Sequence, residues 1–290
     1  MNTSKERRIL VTGSNGQLGR SIRRVFEERG VENVFFTDIE ELDITNYEAV
    51  SRFVTDHDIT HVINCAAFTR VDDAETDAIN AAKLNTGGVS NIAQIAAKYK
   101  IKVLHVSTDY VFSGEAWRPY AENDEPYPRS IYGRTKLEGE GILMAFCPDA
   151  IIIRTSWLYS EFGNNFVRKM IQMGREKKDL KVVVDQIGTP TYASDLAEAI
   201  YSILHSSVNE PGIFHYANEG VASWYDFAKA IFRLSDMDVN VSPILSKEYP
   251  TKASRPLFSV FNKEKIKKTY ALKIPHWEDS LRKCLSSNAF

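Results

Sequence analysis

The stretch Ile9-Leu10-Val11-Thr12-Gly13-Ser14-Asn15-Gly16-Gln17-Leu18-Gly19 decides the fold. A short apolar run leads straight into a glycine triplet. Residues 18–29 then carry apolar side chains at Leu18, Ile22, Val25 and Phe26, the spacing of one helical face. Each glycine has a use: one permits the tight strand-to-helix turn, one lets an anion approach the backbone, and one lets the helix pack on the sheet. The free N–H groups and positive end of that helix suit a phosphate. A glycine triplet means little alone; a strand before it and an amphipathic helix after it make it a dinucleotide signal.

Working outward, the pattern alternates. Val34-Phe35-Phe36 is a second strand closed by Asp38, and residues 47–57 read as a helix. His61-Val62-Ile63-Asn64 is a third strand, residues 81–99 one long helix, and Val103-Leu104-His105-Val106-Ser107 a fourth strand. Residues 132–146 are again helical, and Ala150-Ile151-Ile152-Ile153 is a fifth strand. Strands apolar at nearly every position suit a sheet covered on both faces. Strand–helix alternation implies right-handed crossovers and a parallel sheet. This is the doubly wound α/β, or Rossmann, architecture, with its crevice at the carboxyl ends of the strands. Residues 1–155 are expected to form the dinucleotide-binding domain, with later segments returning to it. Residues 156–290 are expected to form a smaller α/β substrate-binding domain. There Val182-Val183-Val184 and Ile213-Phe214-His215-Tyr216 read as strands, and residues 195–204 and 224–234 as helices. Residues 239–257, with three of the ten prolines, read mostly as loop.

Composition narrows the function classes. The 36 basic and 38 acidic residues leave a net charge of -2, which gives no reason to expect a nucleic-acid partner. Cys65, Cys147 and Cys284 are an odd, sparse set without a Cys-x-x-Cys spacing, so neither a disulfide framework nor a zinc site is expected. A reducing, cytoplasmic compartment fits. The N-terminal Met1-Asn2-Thr3-Ser4-Lys5-Glu6-Arg7-Arg8 is followed by too short an apolar run for a signal peptide, and no run of about 18 apolar residues suggests a membrane span. His57 and His61 are four apart, but His61 belongs to a strand, so they make no zinc pair. Neither a Gly-x-Ser-x-Gly elbow nor a P-loop ending occurs.

The chemistry sits at strand ends. Gly13, Asn15, Gly16, Gln17, Leu18 and Gly19 form the phosphate cradle. Asp38, 19 residues beyond Gly19, can accept hydrogen bonds from ribose hydroxyls, which favours NADH. It would repel the 2′-phosphate of NADPH unless an arginine such as Arg20 compensates. Asp43, Ile44, Cys65, Ala66 and Ala67 follow strand-like runs and border the adenine and ribose, the two alanines admitting the cofactor close to the backbone. Tyr132 and Lys136 are one helical turn apart and point at one spot. A phenol titrates near 10 in water, and a nearby ammonium lowers it. The pair makes a general acid for a carbonyl receiving hydride. Thr108, at the end of the fourth strand, can donate to the developing alkoxide.

With these residues in place the sequence resembles the extended short-chain dehydrogenase-reductases, and within them the dTDP-4-dehydrorhamnose reductase family. The likeness runs over nearly the whole chain. It covers Gly13 to Gly19, Asn64-Cys65-Ala66-Ala67-Phe68-Thr69 with Val71-Asp72, Ser107-Thr108-Asp109-Tyr110-Val111-Phe112-Ser113-Gly114 and Tyr132-Gly133-Arg134-Thr135-Lys136. It continues through Arg154-Thr155-Ser156-Trp157-Leu158-Tyr159, Gly163-Asn164-Asn165-Phe166, Asp185-Gln186-Ile187-Gly188-Thr189-Pro190-Thr191 and Arg255-Pro256. The resemblance implies reduction, by NADPH or NADH, of the 4-keto group of dTDP-4-dehydro-6-deoxy-L-mannose. It implies Thr108, Tyr132 and Lys136 as the catalytic trio, and Asp109, Tyr110, Trp157, Asn165 and Arg255 as substrate residues. A tryptophan face suits the apolar side of a sugar, and an arginine fork suits a diphosphate. Related 4,6-dehydratases carry Thr-Asp-Glu; Tyr110 stands at the Glu position here, which favours reduction. Some members form a magnesium-bridged dimer through an acid two residues past the third glycine. Ser21 is at that position, so no metal is expected, and the chain is expected to be a monomer or homodimer. The same trio would serve a reductase or epimerase of another nucleotide-linked keto-sugar. The fold also occurs in non-catalytic regulatory subunits, against which the intact trio argues.

Overall fold

The computed structural model describes residues 7–287. Residues 1–6 of the N-terminal stretch and residues 288–290 of the expected second domain lie outside the described residues. The first strand, β1 (Ile9–Thr12), divides its side chains between two cores: Ile9 and Val11 enter one, Leu10 the other. Burying one such side chain stabilises by about 1.5–3 kcal/mol. After it come α1 (Gln17–Glu28), β2 (Val34–Thr37), α2 (Tyr47–Asp56), β3 (His61–Asn64), α3 (Val71–Ala74), α4 (Ala78–Ala82), α5 (Val89–Tyr99), β4 (Lys102–Thr108), α6 (Ile131–Phe146) and β5 (Ile151–Thr155). The later elements are β6 (Leu158–Tyr159), α7 (Phe166–Glu176), β7 (Asp179–Val183), β8 (Ile187–Gly188), β9 (Thr191–Tyr192), α8 (Ala193–His205), β10 (Gly212–His215), β11 (Ala222–Ser223), α9 (Trp224–Leu234), β12 (Asn240–Ile244), α10 (Glu264–Tyr270) and α11 (Trp277–Leu285).

The central sheet runs β10-β5-β4-β3-β1-β2, every pair parallel. It is the doubly wound α/β sheet that the strand–helix alternation implied. On one face α1, α8 and α10 share a core; on the other, α2, α5 and α6 do. A third core joins α7, α9 and α11 to β7 and β12. The chain crosses from β10 back beside β5, so segments after residue 190 lie on the first sheet. From β1 the chain leaves to β2 on one side, and β3 lies on the other. The switch point, where such sheets open a crevice, therefore falls at the ends of β1 and β3. Gly13 sits there with φ +66°, and a β-carbon on it would lie 2.6 Å from the Ala66 nitrogen.

Two segments differ from expectation. The helix expected over 81–99 is interrupted by a π-helical stretch at Lys83–Gly88. The wider turn puts the buried Asn85 side chain against the loop after β3. There it accepts from the Phe68 N–H at 2.8 Å, and it donates to the Phe68 carbonyl and to Thr135 of α6. Residues 239–257 are not mostly loop at their start: β12 pairs in parallel with β7, with Pro243 opposite Val182. The pairing survives the proline because β12 lies at the edge of a two-stranded sheet, where a missing N–H need not break a ladder.

Candidate active site

At the carboxyl ends of β1, β3 and β4 opens a cleft of about 800 Å³. Its floor is backbone. Gly16 caps α1 without a side-chain hydrogen bond, and the first turn of α1 holds no acid, so the helix end is left to an anion. Gly13, Asn15, Gly16, Gln17, Leu18 and Gly19 all border the cleft. Asp38 closes one end, its Oδ2 accepting from the Asn15 N–H and its Oδ1 from the Ile39 N–H, each at 2.8 Å. The guanidinium of Arg20, offered above as compensating charge, lies 4.2 Å over the Phe162 ring and is engaged there. Asp43, Ile44, Cys65, Ala66 and Ala67 line the same cleft. Asp43 accepts from the Thr45 N–H, which shapes the turn before α2. Burial pushes the Cys65 thiol up to about 12, so it is neutral there. A cradle of free N–H groups and small residues with an acid at its far end fits a dinucleotide.

The reacting groups meet at the centre of the cleft. Ser130 caps α6 by accepting from the Gly133 N–H, which sets the helix start so that Tyr132 and Lys136 face β4. Gly133 allows this close approach: a β-carbon there would lie 2.2 Å from the Tyr110 carbonyl oxygen. Thr108, Tyr132 and Lys136 are all buried and all border the cleft. The Thr108 hydroxyl accepts from the Tyr110 N–H at 3.2 Å and donates to Asp109 Oδ1 at 3.1 Å. Lys136 Nζ donates to the Val106 carbonyl at 2.7 Å and lies 3.2 Å from His105 Nε2.

One electrostatic expectation is corrected. The Tyr132 phenol is pushed up, not down. Burial dominates, opposed by hydrogen bonding with Thr108 and reinforced by the charge of Asp109. Lys136, its amine turned toward Val106 and His105, is itself lowered to about 8 by burial, against the raising pull of Glu140. Tyr132 is therefore held as a phenol, the form that can give a proton. Burial also raises Asp109 to about 6, opposed by hydrogen bonding with Ser259 and Thr108.

The substrate-side residues are treated unevenly. Asp109, Tyr110, Trp157 and Asn165 border the cleft. Trp157, at φ +47°, stacks one face on Trp224 at 3.6 Å and 6°, and a β-carbon on Gly188 would lie 2.6 Å from its ring. Asn165 spends its polar atoms on the protein. It caps α7 by accepting from the Arg168 N–H, and it donates to Gln17 Oε1 and to the Ser160 carbonyl. It thus ties this wall to the cradle. Arg255 does not border the cleft; its fork donates to Asp72 at 2.6 Å and to the Tyr110 hydroxyl at 3.2 Å. Trp224, Asp72, Asn85 and His105 were not singled out from sequence. His105 alone left a signal, a polar residue inside an otherwise apolar central strand.

Comparison with known proteins agrees with this geometry. The family model described as the RmlD substrate binding domain matches residues 7–289. The dTDP-4-dehydrorhamnose reductase of Aggregatibacter actinomycetemcomitans is 38% identical over 285 residues, covering 95% of this chain and 97% of that protein. A crystal structure of a dTDP-4-dehydrorhamnose reductase from Clostridium acetobutylicum superposes with a TM-score of 0.92 at 43% identity, covering 96% of this chain and 98% of that one. One from Bacillus anthracis, solved in complex with NADP, gives 0.93 at 37% identity, covering 98% and 100%. Model, relatives and structures each span almost the full length, and on that ground the chain belongs to the dTDP-4-dehydrorhamnose reductase family of oxidoreductases.

Proposed function

We propose that the protein reduces the 4-keto group of dTDP-4-dehydro-6-deoxy-L-mannose, giving dTDP-L-rhamnose, with Tyr132 as the general acid. The observation that carries this reading is the gathering of Thr108, Tyr132 and Lys136 in the cleft that the glycine cradle opens. A bound reduced nicotinamide dinucleotide supplies hydride to the carbonyl carbon. As charge moves onto the keto oxygen, Tyr132 gives it a proton, and burial keeps that phenol protonated beforehand. Thr108 is oriented by the Tyr110 N–H, and its hydroxyl proton can pass from Asp109 Oδ1 to the same oxygen. Trp157, which borders the cleft, packs on the apolar side of the sugar. Asp109, which borders the cleft, takes a sugar hydroxyl.

The backbone of the cradle would hold the dinucleotide, and Asp38 would accept from a ribose hydroxyl at the end of the cleft. The relative solved with NADP supports NADPH. Asp38, with Arg20 drawn off to Phe162, supports NADH. The deciding experiment follows the near-ultraviolet absorbance of reduced nicotinamide after mixing protein with dTDP-4-dehydrorhamnose, NADPH and NADH being run side by side. Loss of absorbance only with the keto-sugar is expected. No turnover with either dinucleotide would rule out the proposed reaction.

A further inference from the structure

We propose that His105 acts through Lys136, aiming a locked Nε2–H at its amine so that Lys136 gives a proton readily to the spent Tyr132 phenolate. This rests on the catalytic reading above and goes one step behind it. Asn64, at the end of β3, has its Oδ1 facing the Ala66 N–H at 3.2 Å and the Thr12 hydroxyl at 2.6 Å. A backbone N–H can only donate, so that atom is the amide oxygen. The other amide atom, Nδ2, lies 3.0 Å from His105 Nδ1 and can only donate to it. His105 Nδ1 therefore carries no proton, and the ring proton must sit on Nε2. The imidazolium form, with N–H at both positions, would set Nδ1–H against the Asn64 N–H. His105, fully buried in β4, is thus a fixed neutral donor.

That donor points at Lys136 Nζ, 3.2 Å away. A neutral amine accepts the bond through its lone pair while donating to Val106; an ammonium has no lone pair to offer. The contact therefore weakens the hold of Lys136 on its third proton. The other groups facing Lys136 do not cancel this. Glu140, one turn along α6, favours the ammonium but is claimed by Arg154 through a buried two-pronged ion pair at 2.6 and 3.0 Å. Cys65, beyond β3, is a neutral thiol. Tyr132 is a phenol until it reacts.

The proton balance is as follows. The keto oxygen takes the Tyr132 proton and leaves a phenolate. An N–H bond of the Lys136 ammonium then breaks, its electrons staying on nitrogen, and, relayed through water in the cleft that both residues border, an O–H bond forms on Tyr132. The resulting amine accepts from His105 Nε2–H and regains its third proton from water in the cleft.

The test pairs a pH profile with a ring-nitrogen spectrum. Turnover requires the Lys136 ammonium, so kcat falls as pH rises through its titration. In His105→Leu that falling limb should move upward by about one pH unit, a tenfold change in the proton equilibrium. His105→Gln, which can again present an N–H, should return the limb toward its original position. A merely structural role would lower Tm in both variants and leave the limb in place, and that result would overturn the proposal. Independently of turnover, nitrogen–proton correlation spectra of the unmodified protein should show Nε2–H at His105, the signal being assigned by its loss in His105→Gln. A proton on Nδ1 would also overturn it. Should the protein reduce no keto-sugar, the catalytic reading fails while the spectrum still decides the tautomer. Should it turn over with an unmoved limb in His105→Leu, only the present inference fails.

Discussion

The two walls of the cleft are built by different means. The dinucleotide wall is backbone: glycines, helix N–H groups and small residues from consecutive stretches of β1, β3 and the turns after them. The wall proposed for the substrate is side chains drawn from distant segments, with Trp157 stacked on Trp224 and Asn165 bonded to Gln17. A backbone wall tolerates few substitutions but recognises only a general shape. A side-chain wall can be altered residue by residue, and each of its members depends on a partner far away in the chain.

That contrast can be tested, and the largest effect belongs to the groups between the walls. Tyr132→Phe should lower kcat by about 10²–10⁴-fold while dinucleotide affinity, measured by fluorescence titration, changes little. Retained turnover would remove Tyr132 from the chemistry. Gly13→Ala should strike the dinucleotide wall. A left-handed residue bearing a β-carbon costs roughly 1–2 kcal/mol, and this one also collides with Ala66, so dinucleotide affinity should fall more than about tenfold. Unchanged affinity would mean that the cradle does not hold the cofactor.

Asp109 sharpens the comparison through pH. Its folded-state value of about 6 lies above that of a free carboxyl, so the folded protein binds its proton more tightly than the unfolded chain does. Stability from this group is therefore present below about pH 4 and is lost as pH rises to about 6, by an amount on the order of 3 kcal/mol. Urea denaturation of Asp109→Asn should lack that part of the pH dependence; a wild-type slope in the variant would contradict it. The smallest effect is Trp224→Ala, which removes the stacking partner of Trp157. The KM for the keto-sugar should rise by about fivefold, in line with the ~1 kcal/mol of an aromatic pair, with dinucleotide affinity unaltered. Loss of both affinities together would show that the walls are not separable.

How far each wall could be read from sequence follows from the same difference. Gly13 to Gly19 is contiguous and follows a strand, so its use could be inferred from spacing alone. Tyr132 and Lys136 share a helical face, which four residues of separation ensure. Their electrostatics could not be read that way. The expected lowering of Tyr132 by Lys136 gave way to burial, and burial depends on what lies above a residue in space rather than beside it in the chain. Asn165 and Arg255 show the same limit: their residue types suit a ligand, but in the fold their polar atoms are bonded to Gln17 and Asp72. The π-helical turn around Asn85 and the strand containing Pro243 escaped because each is held by partners more than fifteen residues away.

The order of apolar runs and glycines was enough to determine a parallel sheet, the place of its crevice and the residues at the crevice floor, since these follow from periodicity and local backbone geometry. Only the assembled tertiary structure decided which charged and polar groups are desolvated, which atoms face His105, and that Trp157 stacks on Trp224. Those properties depend on contacts between segments that the chain keeps far apart, and no local pattern of residues encodes them.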